Sequence, residues 1–228
     1  MSLFNRKNRK KTESVSKSEL YDDYRDTRDE AWRVLAENNV SSLPVDVNRI
    51  CAAGNIDIFS YEHAHVLINS LHIEKRCAEN EYFVLLLVDR KIILYDDSVP
   101  GNYARFLIAS GLGHYELGHV HKNVLTDEGV AVFTAEQNLQ AAIFSIRLLA
   151  PLSVLWAMGV RDAKEIEKLC RIPKQTALKR AERLAEIDDR NEQRGISMGQ
   201  GTLFMSGYER ASHRQFIEFI ESYRFEKY

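Results

Sequence analysis

The segment from Arg105 to His121, RFLIASGLGHYELGHVH, determines how the rest of the chain is interpreted. Its apolar residues recur at the spacing of a buried α-helix, and they are Phe106, Leu107, Ala109 and Leu117. The residues just before it, 96–101, have the composition of a turn. We therefore predict a helix from about Tyr103 to about Gly118.

The histidines of this segment can be compared with the HExxH motif of zinc peptidases. In that motif two imidazoles four residues apart share a helix face and hold one zinc ion, while the glutamate handles the proton of a zinc-bound water. The corresponding residues here are Ser110, Gly111, Leu112, Gly113 and His114. Only the second histidine is retained, and no functional group stands at the glutamate position.

Length and composition are those of a globular protein, with 228 residues of which 45% are hydrophobic and 28% are charged. Residues 1–17 are polar and basic, so we expect a flexible tail there. No apolar run looks long enough to cross a bilayer and no secretory signal is evident, which makes the cytoplasm the expected location. Cys51, Cys77 and Cys170 are far apart, so we expect reduced thiols and no cysteine zinc site.

Periodicity and β propensity predict an α+β protein that is mainly helical with a small β-sheet. Strands are expected at 56–61, 82–88 and 91–95, the last two as a hairpin. Helices are expected at 16–38, 45–53, 134–150, 152–158, 163–170, 174–187 and 211–223, with a loop at 195–207. His63 and His65 follow the first strand and are interpreted as surface or loop histidines.

Three segments together resemble the ImmA/IrrE family of zinc metallopeptidases. The first is LYDDS at 94–98, followed by Arg105 and Phe106. The second is the helix itself, in which the family's RFxxAHELGHxxLGH corresponds to RFLIASGLGHYELGH. The third, 140–151, resembles the family's EAxxFAxxLLxP and shares Ala141, Phe144, Leu148, Leu149 and Pro151. The resemblance covers most of the chain between Leu43 and Arg190.

This resemblance implies a zincin-like metallopeptidase domain of cytosolic bacterial or mobile-element proteins. It places Gln140 where the family has the glutamate expected to be the third zinc ligand. Ser110, Gly111 and Gln140 are therefore degenerate positions, because serine is a poor zinc ligand, glycine offers no general base and an amide is neutral. We predict no catalytic residue and no cofactor, with His114 retained but insufficient to hold zinc.

A second register aligns YELGH at 115–119 with the motif and keeps Glu116 and His119. It gives up the match at Arg105 and Phe106. On a continuous helix, His114 and His119 are five residues apart and are expected to point in different directions. Glu116 and His119 are therefore only weak alternative metal ligands.

Residues 162–187 have the outline of a helix-turn-helix. Polar and basic side chains on its second helix are of the types that contact DNA, and they are Gln175, Thr176, Lys179, Arg180 and Arg183. Interleaved acidic residues weaken any attraction to phosphate. The resembled family packs a similar segment within its domain, so we predict a structural role and no nucleic-acid-binding residues.

Three hypotheses follow. The first is an ImmA/IrrE-like pseudoenzyme that has lost its catalytic zinc and acts through protein binding or regulation, with a helix-turn-helix repressor or another regulatory protein as the implied partner. The alternative is an active zinc metallopeptidase that cleaves such a protein with non-standard ligands, drawn from Glu116, His119 and Glu136. The second alternative is a DNA-binding regulator that uses residues 162–187 and the basic tail.

The predicted organisation is a tail at 1–17, an ImmA/IrrE-like domain at 18–190, and a loop with a C-terminal helix at 191–228. No membrane partner is expected. Under the first hypothesis, replacing Ser110 by His, Gly111 by Glu and Gln140 by Glu is expected to restore zinc binding.

Overall fold

A computed structural model describes residues 17–88, 90–193 and 206–227, with side chains described from residue 27 onward. Within these ranges the strands are β1 (Ile56–Ser60), β2 (Tyr82–Leu87) and β3 (Arg90–Tyr95). The helices are α1 (Lys17–Glu37), α2 (Val47–Ala53), α3 (His65–Ser70), α4 (Glu74–Glu79), α5 (Gly101–Glu116), α6 (Ala135–Leu149), α7 (Leu152–Ala157), α8 (Ala163–Cys170), α9 (Lys174–Gln193), α10 (Gly207–Gln215) and α11 (Ile217–Lys227). The predicted α+β class, mainly helical with a small sheet, is confirmed.

The sheet has the strand order β1-β3-β2, with β1 parallel and β2 antiparallel to β3. The predicted hairpin of β2 and β3 is therefore confirmed. Alternation along the strands divides the side chains between two faces. Ile56, Ile58 and Ile93 join the main core on the α5 side, whereas Ile92 and Leu94 join a smaller cluster on the opposite side.

Helix α5 lies between the sheet and α6, and every residue from Leu107 to His114 is buried. Two glycines allow this close packing. A Cβ atom at Gly111 would lie 2.9 Å from Ile93 Cγ2, and one at Gly113 would lie 2.9 Å from Phe144 Cδ1. Glycine destabilises the interior of a helix, and the close approach of β3 explains why a glycine stands at residue 111.

Helix α6 begins with the capping box expected from the sequence. The Gln137 N–H donates to Thr134 Oγ1 at 3.1 Å, and the Thr134 N–H donates to Gln137 Oε1 at 3.0 Å.

Apolar residues of α1 and α11 complete the main core, since Trp32, Leu35 and Ile220 belong to one buried cluster. The C-terminal helical segment predicted at 211–223 is two consecutive helices, α10 and α11.

Two helices were not expected from the sequence. Helices α3 and α4 have six residues each and no side-chain cap, so neither periodicity nor capping residues mark them. His63 and His65 are exposed, as expected, although His65 begins α3. Of the predicted tail at 1–17, residues 1–16 lie outside the described residues and Lys17 begins α1. Most of the predicted loop at 195–207 also lies outside the described residues.

One apolar segment corrects the expectation that no run is long enough to cross a bilayer. Residues Ala135–Ala157 meet that requirement by length and composition. They form α6 and α7, and 56% of the apolar window is buried inside the protein, as in a core helix. The three cysteines are free thiols, with Cys51 and Cys170 buried.

Candidate functional site

The end of α5 brings together His114 and His119, whose side chains were expected to point in different directions. The helix ends at Glu116, and Gly118 takes a left-handed conformation with φ of 69° that reverses the chain. The His119 N–H then donates to the His114 carbonyl at 2.9 Å. The expectation that His114 and His119 point in different directions is wrong, because it assumed a helix through residue 119.

The second register, which aligns residues 115–119 with the HExxH motif, does not fit the structure for the same reason. An HExxH motif needs both histidines on one helical face, and residues 117–119 lie beyond the helix. Glu116, the glutamate of that register, points toward α1, where its Oε2 lies 2.5 Å from a guanidinium nitrogen of Arg33. Glu136, in the first turn of α6, is exposed. Of the alternative ligands, only His119 lies beside His114.

A continuous hydrogen-bond chain runs through the two imidazoles. The Tyr82 hydroxyl lies 3.1 Å from His114 Nε2, His114 Nδ1 lies 3.0 Å from His119 Nδ1, and His119 Nε2 lies 3.0 Å from Gln140 Oε1. His114 is fully buried and His119 is 7% exposed. The chain therefore joins β2, α5 and α6 in the interior.

The direction of this chain follows from its ends. Gln140 Oε1 can only accept, so His119 Nε2 carries a proton and the neutral His119 accepts at Nδ1. His114 then donates from Nδ1 and accepts the Tyr82 proton at Nε2. All four ring nitrogens are satisfied when both imidazoles are neutral.

The pKa values agree with neutral rings. Burial, reinforced by the neighbouring His119, lowers the pKa of His114 to about 3. Burial also lowers the pKa of His119, against the opposing hydrogen bond to Gln140. Burial raises the pKa of Tyr82 to about 12, so its hydroxyl keeps the proton that it donates.

Phe133 packs against both imidazoles of this cluster. Its ring stacks on His114 with centroids 3.5 Å apart and planes 12° from parallel. The segment before it is held along β2, because the Leu86 N–H donates to the Gly129 carbonyl and the Ala131 N–H donates to the Val84 carbonyl. An aromatic ring therefore covers the face of the one retained motif histidine.

The first histidine position of the motif is occupied by a serine pair. Ser110 Oγ donates to Ser145 Oγ at 2.9 Å, and the Phe106 carbonyl oxygen lies 3.0 Å from Ser110 Oγ. Ser145 in turn donates to the Ala141 carbonyl at 2.8 Å. Both hydroxyls are buried and satisfied, so this position links α5 to α6.

The glutamate position is filled by Ile93. Its Cγ1, Cγ2 and Cδ1 atoms would all lie within 3.0 Å of a Cβ atom at Gly111. Ile93 is fully buried in the central strand β3. No side chain of any kind fits at residue 111 without displacing this strand residue or the helix.

The donors do not fit the zinc ion that the resemblance implies. A catalytic zinc site needs three protein ligands and an open position. Among the residues that the structure describes, no group of three or more His, Cys, Asp or Glu side chains could hold a metal ion. His114 and His119 turn their Nδ1 atoms toward each other, and Gln140 supplies a neutral amide.

The helix-turn-helix outline consists of α8 and α9, joined through Arg171 in a left-handed conformation. Two of the five side chains that could contact DNA face inward. Thr176 and Arg180 are each 8% exposed, and Arg180 Nε donates to the Ala150 carbonyl at 2.7 Å. Gln175, Lys179 and Arg183 are exposed.

The sequence did not identify Tyr82, Phe133, Ser145 or Ile93 as members of the cluster. Ile93 and Tyr82 were interpreted as strand residues, which they are, and strand propensity does not indicate which helix a strand contacts. Phe133 precedes the capping box of α6, a position that does mark it as near a helix start. Its stacking on His114 depends on the pairing of residues 129–131 with β2.

Comparison of the chain with protein-family models, with curated proteins and with solved structures found no match. The resemblance to the ImmA/IrrE family therefore rests on the motif residues alone.

Proposed function

We propose that this protein has a zincin-like domain of the ImmA/IrrE type, without a catalytic metal site, and acts by binding another protein. The observation that carries the proposal is the filling of the motif positions. Ser145 bonds Ser110, Ile93 packs against Gly111, and Phe133 covers His114. These contacts stabilise the fold at positions where a hydrolase needs a metal, a water and a general base.

The active-peptidase alternative gains no support from the geometry. Its candidate ligands diverge, since Glu116 pairs with Arg33 and Glu136 is exposed in the first turn of α6. His119 uses both ring nitrogens in the hydrogen-bond chain. The DNA-binding alternative is weakened by the burial of Thr176 and Arg180.

The partner class comes from the resemblance. Members of the ImmA/IrrE family act on regulatory proteins, so a helix-turn-helix repressor or another regulator is the partner we propose. The cytoplasm, where such regulators work, is the proposed location.

Metal analysis tests the loss of the zinc site. Protein purified without chelator and assayed by plasma mass spectrometry is expected to contain far less than one zinc per chain. His114→Ala is expected to leave that content unchanged. Stoichiometric zinc that disappears in His114→Ala together with a peptidase activity would overturn the proposal.

The restoration variants provide a sharper test. The sequence suggested that Ser110→His, Gly111→Glu and Gln140→Glu together restore zinc binding, but Ile93 and Ser145 occupy the space required. We expect the triple variant to bind no zinc, and the same variant with Ile93→Ala and Ser145→Gly to bind it. Zinc in the triple variant would show that the positions are not blocked. If the variant with all five substitutions folds but binds no zinc, the motif register is wrong.

A further inference from the structure

The sheet has an open edge on the side away from the histidine cluster. β1 is the outer strand there, and it pairs only with β3 among the described strands. Its sequence, IDIFS, contains no lysine or proline, the residues that commonly protect an edge strand from pairing. This edge is therefore chemically able to accept another strand.

The direction of the backbone groups on β1 can be deduced from its pairing. The Tyr61 N–H donates to the Tyr95 carbonyl at 2.9 Å. Alternate residues of a strand bond the same neighbour, so Asp57 and Phe59 also turn their N–H and C=O groups toward β3. The N–H and C=O of Ile58 then point outward, and no backbone partner for them occurs in the described part of the chain.

A groove of about 690 Å³ runs beside this edge. Its lining includes Ile58, Ile108 and Tyr95 from the α5 side of the sheet, and also Asp57 and its ion-pair partner Arg90 from the opposite face. Residues of both faces line the groove and β2 closes the other side of β3, so the groove reaches the outer edge of β1. Asn48 and Ala52 of α2 form its other wall.

We propose that this groove binds an extended peptide segment of a partner protein, which adds to β1 as a fourth strand. The backbone of a peptide supplies the alternating donors and acceptors that the outward groups of Ile58 require. The inference rests on the proposed function, since it names the surface through which a protein partner would be bound.

The lining specifies the side chains of this peptide. Ile58 and Ile108 form an apolar floor, with Ala52 on the wall above it, for residues at alternate positions, because a strand sends every second side chain to one face. Asp57 Oδ2 accepts from Arg90 at 2.6 Å, and its other oxygen is available to a basic residue. The chain beyond the tail is acidic, since the net charge of -2 includes the basic tail. The peptide is therefore apolar at alternate positions and basic beside them.

A second copy of this chain fits the groove less well. Asn48 and Ala52 place α2 beside the edge, so two copies joined edge to edge would bring their α2 helices together. A single strand has no such flanking helix.

Hydrogen exchange measured by NMR tests the edge before any ligand is added. The Ile58 amide is expected to exchange at least about tenfold faster than the amides of Asp57 and Phe59, which face β3. Equal protection of the three amides would show that the edge is already covered, and the proposal would fail.

Titration with the blocked peptide Ac-KVTVTVK-NH2 tests the binding mode. We expect saturable chemical-shift changes at residues 56–60 and protection of the Ile58 amide. When the peptide pairs antiparallel to β1, the valine opposite Ile58 turns its N–H toward β1, so the same peptide with its central valine N-methylated should bind about tenfold more weakly, the loss of roughly one hydrogen bond. Shifts centred on α6, absence of saturable shifts, or equal affinity of the two peptides would each overturn the proposal.

Two variants complete the test from the protein side. Ile58→Pro removes the outward N–H without removing a bond to β3, so it is expected to fold and to lose peptide affinity, whereas Ile58→Val retains both. The N-methylated peptide keeps the test valid if Ile58→Pro does not fold. Self-association in sedimentation that Ile58→Pro abolishes would identify a second copy as the occupant and overturn the peptide assignment.

These results are independent of the metal analysis. Stoichiometric zinc would refute the proposed loss of the metal site even if peptide bound at β1, and absence of peptide binding would refute the groove assignment even if zinc were absent.

Discussion

Polar groups at the two edges of the sheet differ in whether they have hydrogen-bond partners. At the β2 side, the imidazoles of His114 and His119 have a partner for every ring nitrogen and are covered by Phe133. At the β1 side, the outward backbone groups of Ile58 face an open groove. Buried polar atoms that are fully satisfied hold a structure together, whereas accessible atoms without a partner remain free to bind one.

The difference also separates the residues of the motif from the open edge. The residues that carry the resemblance to a peptidase lie where the protein is closed and complete. The surface that can still form new hydrogen bonds lies at the other sheet edge, in residues that the motif does not include. The comparison predicts that changes in the closed region alter stability, and that changes in the open region alter binding.

The largest effect is expected from His114→Ala. It removes the acceptor of Tyr82 and the donor to His119 and leaves a cavity under Phe133, which together should cost about 3–5 kcal/mol of unfolding free energy. Urea denaturation measures this loss, which should be the same with and without a chelator. The control His121→Ala removes an exposed ring and should change stability by less than about 0.5 kcal/mol. Stability lost only in the presence of chelator would instead indicate a structural metal.

The second effect is a pH dependence. The folded pKa of His114 is about 3 and that of His119 is also lowered, so stability gained from neutral rings is present above the unfolded pKa of about 6.5 and is lost as pH falls. An imidazole that stays neutral in the folded protein contributes about 1.4 kcal/mol per pH unit between its unfolded and folded pKa values. Burial also lowers the pKa of His213, which adds to the slope with the same sign. Urea denaturation should show about 2 kcal/mol or more lost between pH 6.5 and pH 5.

The exposed His63 and His65 provide the control for this pH dependence. Replacing both with glutamine should leave the slope unchanged, because neither ring is buried by the fold. A flat profile in the unaltered protein would mean that the two buried rings are not held neutral.

A smaller loss is expected when the same substitution is made at two glycines of α5. Gly111→Ala forces a methyl group against Ile93 and should destabilise the protein by about 1–3 kcal/mol despite a better helix propensity. Gly101→Ala enters open space at the start of the helix and should change stability by less than about 1 kcal/mol. Thermal unfolding of the pair measures the difference. Equal stability of the two variants would show that Ile93 does not limit residue 111.

Much of the fold was predictable from local signals. The capping box at Thr134, the β-branched strands and the periodic helices each appear within a few residues, and the structure contains them. The short α3 and α4 carry no such signal. The helix α5 was predicted two residues too long at its end, and this small error misplaced His119, because Gly118 turns the chain back instead of continuing the helix.

The site was predictable only as a set of missing groups. Ser110, Gly111 and Gln140 were recognised by comparison with the motif, but the side chains that surround them come from residues far apart in sequence. Ser145 lies 35 residues from Ser110, and Tyr82 lies 32 residues before His114. The β1 groove was not predicted, because the sequence does not show which strands pair. It therefore does not show which strand edge is left without a partner.

The smallest change in stability should accompany Asp57→Ala at the rim of the groove. The ion pair with Arg90 is exposed, with 43% of the Asp57 side chain and 66% of the Arg90 side chain accessible, so its loss should cost less than about 1 kcal/mol. The affinity for the basic peptide should nevertheless fall severalfold, because Asp57 is the acidic group beside its lysines. Glu186→Ala, which removes a surface ion pair with Arg183 on α9, should alter neither quantity. Calorimetric titration and urea denaturation of both variants measure this contrast. Equal peptide affinity of the two variants would show that Asp57 does not select a basic partner, whereas a large stability loss in Asp57→Ala would place it among the residues that support the fold.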